Sequence, residues 1–276
     1  MPSLHHVDYR GHRVAYEVHG EGPRVLVFTH GLLLDAALNR AIAQRLARAG
    51  HRVVLPELLG HGRSDKPRHA YEHRLDFYAE QVVAILDDLG LDEAVVGGVS
   101  LGANVALEVA ATAPERVRAM VLEMPVLERG AMAAVQAFWP ALVSLRYLSK
   151  VIRPFSRLVR ALPRTGVGAF DSWMNLLSAD PRENAAVLHG LMVGPGAPAA
   201  RVRFTMPQPA LVIGHGWDLL HAMDDARALA EELPNARFLQ ARSILEARTA
   251  PSRIVGEIDA FCNEVWGPRL ATATTA

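Results

Sequence analysis

The chain predicts an α/β fold: a mostly parallel eight-stranded sheet flanked by helices, with a helical insert near its middle. Three observations predict it. Short β-rich runs alternate with longer helical patterns. Several of the runs are almost wholly apolar, as strands covered on both faces should be. The alternation then breaks over residues 125–205, where the pattern is helical and punctuated by Pro140, Pro154, Pro163, Pro181 and the loop GPGAP.

The elements follow in order. Runs 5–9 and 13–18 lie close together across Gly11 and read as a hairpin. The remaining strands are expected at 24–29, 52–56, 94–99, 117–123, 210–214 and 237–240. Helical patterns occupy 36–49, 75–89, 101–113, 222–232 and 252–265, and Gly50, Gly90 and Pro234 stand where helices should stop. We therefore expect a core made of 1–124 and 206–266, a cap or lid insert at 125–205, and a frayed small-residue tail at 267–276.

Composition narrows the function. A formal charge of zero over 276 residues argues against a general nucleic-acid binder, which needs a basic excess. A lone Cys262 excludes an intrachain disulfide and suits a reducing compartment. The N-terminal stretch has no apolar signal-peptide core, and no apolar run is long enough to span a bilayer, so a cytoplasmic protein is expected. The charge is unevenly shared. The insert holds ten basic and four acidic residues, net +6, which leaves −6 for the rest. Arg146, Lys150, Arg153, Arg157 and Arg160 recur at helical spacing and are expected on one solvated face. Attraction of an anionic substrate or docking to an anionic membrane are the sharper readings of that face.

Gly98-Val99-Ser100-Leu101-Gly102 matches G-x-S-x-G between an apolar strand and a helix-forming run. Such a serine sits on a strained turn that lifts its hydroxyl clear, and the glycines remove side chains that would clash. The helix start behind it favours developing negative charge.

At these residues the chain resembles the α/β-hydrolase fold superfamily. VLVFTHGLLLDAALNR is similar to its His-Gly motif, and VVLPELLGHGRSDKP to its D-x-x-G-x-G-x-S segment with Glu57 in place of Asp. RVRAMVLEMPVL resembles the sixth strand leading into a cap, and PALVIGHGWDLL the seventh, with Asp218 in the position that supplies the acid. The resemblance implies Ser100 as nucleophile and backbone N–H groups of Leu32 and Leu101 as oxyanion donors. His30 and His61 are expected to be structural.

One part of the pattern is missing. Where relatives usually carry a histidine after the last strand, this chain reads ARSILEAR, and no histidine follows His221. Serine needs a base to take its proton. Of the 12 histidines, His5, His6, His12, His19, His51, His69 and His73 are expected at the surface, and nothing local supports His189. His221 and, as the alternative, His215 flank Asp218 on the loop after the seventh strand. His221 together with the SILE segment resembles some bacterial members that lack the usual C-terminal histidine. Glu123 ends the sixth strand and suits either of two roles, an alternative acid or a structural carboxylate.

These readings lead to a hydrolase of carboxylic esters or related acyl compounds working through an acyl-enzyme, with a relocated base and no cofactor or metal. The expected partner is a small hydrophobic acyl substrate, with a pocket wall or insert core drawn from Phe138, Trp139, Phe155, Phe170 and Trp173. Nucleic acid is not expected, membrane contact is a secondary option through the basic insert, and a homodimer stays open. The competing class is a non-hydrolytic enzyme or small-molecule-binding protein on the same fold.

Overall fold

A computed structural model describes residues 2–216, 221–243 and 246–267. Its centre is an eight-stranded sheet in the order β1-β2-β4-β3-β5-β6-β7-β8. The strands are β1 Ser3–Tyr9, β2 His12–His19, β3 Val25–Thr29, β4 Arg52–Glu57, β5 Ala94–Val99, β6 Val117–Glu123, β7 Ala210–Gly214 and β8 Ala236–Gln240. β1 and β2 pair antiparallel, β2 joins β4 antiparallel, and the remaining pairs are parallel.

Between and after the strands run α1 Arg40–Arg48, α2 Leu75–Asp88, α3 Leu101–Thr112, α4 Glu128–Tyr147, α5 Ser149–Ala161 and α6 Gly168–Ser178. They are followed by α7 Pro181–Met192, α8 Ala200–Arg203, α9 Met223–Glu232, α10 Glu246–Thr249 and α11 Ser252–Trp266. Successive strand residues point to opposite faces, so apolar strands feed two cores. Val25, Val27, Val96, Leu122 and Val212 join the cluster under α2, α3 and α9. Leu26, Phe28, Val95, Val121 and Ile213 join the one under α1 and α11. Cys262 packs into the second cluster, and burial pushes its thiol up to about 12, so it is an inert filler.

The helices α4 to α8 form the insert between β6 and β7. Leu142 of α4 meets Ala185 and Leu188 of α7, with Leu32 and Leu33 of the loop after β3 packed against them. At its far end Arg203 is buried and holds the Pro198 carbonyl at 2.6 Å, Glu232 at 2.5 Å and Glu128 at 3.0 Å. That network ties both ends of the insert to α9. No described helix is long and apolar enough to cross a membrane.

Two expectations need correction. The five-residue basic face is broken, because α4 ends at Tyr147 and α5 starts at Ser149. Arg146 therefore rides on α4, and the stripe on α5 begins at Lys150. Three of the histidines expected at the surface are buried: His19, His51 and His73. Each has a polar partner that offsets the cost of burial. His19 meets Glu17 at 3.0 Å and His51 meets Asp259 at 2.6 Å, while His73 bonds the Pro67 carbonyl at 2.9 Å.

Candidate active site

Ser100 links β5 to α3 with φ +56°, a left-handed conformation that costs a non-glycine residue about 1–3 kcal/mol. Neighbouring contacts hold it there. Its N–H donates to the Glu123 carbonyl at 2.8 Å, and its own carbonyl accepts from Ala103 and Asn104. The flanking glycines are required by space. A Cβ at Gly98 would stand 2.5 Å from the Thr29 carbonyl oxygen, and one at Gly102 would stand 2.4 Å from the same atom. The turn can press against the end of β3 only without those side chains.

That approach brings the His30-Gly31 loop beside the serine. A Cβ on Gly31 would lie 3.9 Å from that of Ser100. Leu101 opens α3, so its N–H is among the first-turn groups with no partner inside the helix. His30 is fully buried. Its Nε2 accepts from the Leu58 N–H at 3.2 Å, so its Nδ1 carries the proton that meets the Gly31 carbonyl at 2.8 Å. Burial depresses its pKa and keeps the ring neutral. His61 lies against it, ring centroids 4.6 Å apart, and is held neutral by burial and then by His30 itself. The two rings are thus part of the scaffold for this loop.

Glu57 does more than replace an aspartate. Its carboxylate takes the Arg63 N–H at 2.6 Å and the Arg63 guanidinium at 2.9 Å through both oxygens. It thereby closes the GHGRS loop onto the end of β4. Gly62 (φ +49°) fits only because its missing Cβ would fall 2.3 Å from the Glu57 carboxyl carbon.

The two candidate histidines are placed differently. His221 Nε2 stands 2.8 Å from Ser100 Oγ. An unprotonated Nε2 there can accept the hydroxyl proton. Asp218 lies outside the described residues. His215 is directed elsewhere: its Nδ1–H donates to the Ser243 carbonyl at 3.0 Å, and its Nε2 lies 3.3 Å from Glu123. That second approach is close enough for charge but poorly aligned for a hydrogen bond. His189 sits half-buried on α7.

Glu123 carries its backbone to Ser100 and its side chain to Arg248, at 3.0 Å, and His215. Burial alone would raise this carboxyl. The Arg248 guanidinium outweighs it, with help from His215, and holds it at about 2. The loop after β8 is further tied by Ala241 N–H to the Gly214 carbonyl at 2.8 Å, and by Glu246 to Arg253 at 2.8 Å. So the segment that lacks a histidine braces the segment that has two.

Other contributors were not singled out from the sequence. Asp225, at the start of α9, accepts from the N–H groups of Leu127 (2.8 Å) and Gly130 (2.7 Å) and so caps α4 just past His221. Asn104 binds the Val126 carbonyl at 2.7 Å and the Gly196 carbonyl at 2.6 Å, fastening both ends of the insert over α3. The signals were present: Asn104 is the first polar side chain in a mostly apolar helix run, and Asp225 belongs to an acidic pair opening a helix.

The expected aromatic wall is not formed. Trp139, Phe155, Phe170 and Trp173 each keep more than half of their surface exposed, and only Phe138 packs inward, beside Leu32 and Leu33. A cavity of about 340 Å³ flanks the loop after β3, and its lining is charged: Asp35, Arg40, Glu57, Arg63, Lys66 and Glu183 among others.

A strand-turn-helix serine, a His-Gly loop beside it and an insert after β6 define an α/β-hydrolase fold. The family model for the alpha/beta hydrolase fold matches residues 24–241, and the chain belongs to that family. It is 32% identical over 137 residues to a 2-hydroxymuconate semialdehyde hydrolase of Pseudomonas sp. (strain CF600), covering 48% of this chain and 44% of that one. The chain spans less than half the length of the curated relatives it matches. Among solved structures, the enol-lactonase from Burkholderia xenovorans LB400 superposes with a TM-score of 0.75 at 19% identity, over 93% of this chain and 98% of that one. A thermophilic esterase from Thermogutta terrifontis does so at 0.75 and 22%, over 95% and 99%. At those identities the likeness is one of fold.

Proposed function

We propose that the protein is a serine hydrolase acting on a carboxylic ester or a related acyl compound through an acyl-enzyme. The observation that carries this reading is the 2.8 Å contact between Ser100 Oγ and His221 Nε2. Ser100 attacks the acyl carbon while His221 takes its proton. The carbonyl oxygen gains negative charge and is met by the N–H groups of Leu101 and Leu32, each such donor being worth about 3 kcal/mol. As the bond to the leaving alkoxide breaks, His221 returns the proton to it. Water then attacks the acyl-enzyme with His221 again as base, and carboxylic acid and free serine result. Asp218 would be the acid that orients the imidazole, so Ser, Asp and His keep the chain order of the family with the last two three residues apart in the sequence. Glu123 is a structural carboxylate, because Arg248 and His215 engage it.

A fluorophosphonate probe tests the reading. Stoichiometric labelling of Ser100, lost in Ser100→Ala and strongly slowed in His221→Ala, is expected. A folded protein that stays unlabelled and does not cleave p-nitrophenyl acetate would reject hydrolysis and favour a binding or non-hydrolytic role.

A further inference from the structure

Exposed apolar surface is concentrated in one part of the described molecule. Sixteen of the nineteen large apolar side chains that stand exposed lie within residues 125–205. They are ordered. Met132, Val135, Trp139, Val143 and Tyr147 follow one another at steps of three or four along α4, which places them on one helix face. Phe170, Trp173 and Leu177 do the same on α6, which packs against α5.

α5 is the most informative of the three. Its circumference divides into three sectors. Ser156 and Val159 are buried and form the docked side. Val151, Phe155, Leu158 and the following Leu162 line a second side, between about half and three-quarters exposed. Lys150 and Arg157 flank that apolar line, roughly a third of a turn round the helix, and both are exposed. Arg153 and Arg160 lie farther round and turn back to the insert, to Asp180 at 3.2 Å and the Ser178 carbonyl at 2.7 Å. Apolar and aromatic residues on one side with exposed Lys and Arg beside them make the pattern of a helix that lies in a lipid interface.

We propose that the outer face of α4, α5 and α6 docks this protein on an anionic membrane surface. The charge selects that occupant. The insert carries +6 and the remainder −6, and Arg146, Lys150 and Arg157 stand exposed on α4 and α5 beside the apolar stripes, so this side of the molecule is the one attracted to negative lipid headgroups. A symmetric pairing of two copies through the same face would bring the exposed Arg146, Lys150 and Arg157 of one copy toward those of the other. The inner side of α4 packs on Leu32 and Leu33, so the docked helices also support the serine's surroundings. Docking does not depend on hydrolysis, and Ser100→Ala should bind membranes like the parent protein.

Co-sedimentation with vesicles of equimolar phosphatidylglycerol and phosphatidylcholine, at low and high ionic strength, tests the proposal on the full chain. Binding should be strong at low salt, fall as salt rises, and be weak on phosphatidylcholine alone. Tryptophan emission should shift to the blue as Trp139 and Trp173 leave water. Lys150→Gln/Arg157→Gln should weaken binding about 30-fold, roughly a factor of five for each charge. Phe155→Ser/Leu158→Ser should abolish binding while melting normally and keeping fluorophosphonate labelling. Failure to bind anionic vesicles at low salt, or equal binding by both variants, would overturn the proposal. So would a concentration-dependent dimer in vesicle-free buffer that Phe155→Ser/Leu158→Ser dissociates, which would assign the face to a second copy. Ser100 labelling with no vesicle binding would remove the membrane inference and leave the hydrolytic reading intact.

Discussion

The segments that follow β7 and β8 meet at the edge of the sheet and offer different groups. The first presents two histidines, His215 and His221, and brings one of them to 2.8 Å from Ser100 Oγ. The second contains no histidine and offers the Ser243 carbonyl and, from α10, the Arg248 guanidinium to the groups beneath. The two histidines are six residues apart in sequence and have opposite surroundings. His215 is buried beside a carboxylate, while His221 reaches the serine hydroxyl. A buried ring with one nitrogen bonded to a carbonyl and the other beside a carboxylate is kept from the serine, so the surroundings of His215 suit a brace and the placement of His221 suits a base.

Substituting the two histidines separately gives the largest expected contrast. His221→Ala should lower kcat/KM for a soluble ester by about 10⁴-fold or more, as loss of a base does in serine enzymes. His215→Ala should cost less than about 100-fold in rate, and should act mainly on stability, by about 1–3 kcal/mol from the polar groups left unpaired. Steady-state kinetics and denaturant melts on both variants measure this; equal rate losses would erase the distinction.

The brace can be broken directly. Glu123→Gln leaves Arg248 buried without its counter-charge, and one-sided loss of such a pair costs about 3–5 kcal/mol. Stability by urea unfolding should fall by that amount. The rate should fall far less than in His221→Ala, because the backbone bond from Ser100 to the Glu123 carbonyl remains.

Acid should weaken the fold in two stages, the second of them through the brace. His30, His61 and His73 have folded pKa values depressed by burial. The unfolded chain therefore takes up protons first, and stability begins to fall below about pH 6.5, the ordinary value for imidazole. Glu123, depressed to about 2, adds stability that is complete above about pH 4.5 and is lost as pH drops toward 2. Its contribution is about 3 kcal/mol at neutral pH. Thermal melts across this range should show both declines, and Glu123→Gln should lack the second.

The smallest effect is expected beside His221. Asp225→Asn removes the charge that caps α4 and should cost about 1 kcal/mol. If it also slows fluorophosphonate labelling of Ser100, then α9 sets the position of His221 as well as that of the insert.

Much of this arrangement was legible in the residues themselves. Apolar runs mark the strands because a parallel strand must bury both faces, and β3 to β7 lie within a residue or two of their expected bounds. Glycines around Ser100 mark a tight turn because a side chain would clash there: a Cβ at Gly98 or Gly102 would fall within 2.5 Å of the Thr29 carbonyl oxygen, whereas one at Gly31 would make only ordinary contact. Such features depend on near neighbours in the chain, so local patterns carry them. Contacts between distant residues decided the rest. His221 and Ser100 are 121 positions apart, and nothing local separates His221 from His215. Burial of His19, His51 and His73 depends on partners that only the packed fold supplies, and a half-turn of a helix decides whether a tryptophan fills a pocket or faces water. The sequence by itself determined the sheet, the serine's turn and the insert; the tertiary structure brought His221 rather than His215 to Ser100 and set the insert's aromatic residues outward, because proximity and exposure are properties of the whole fold.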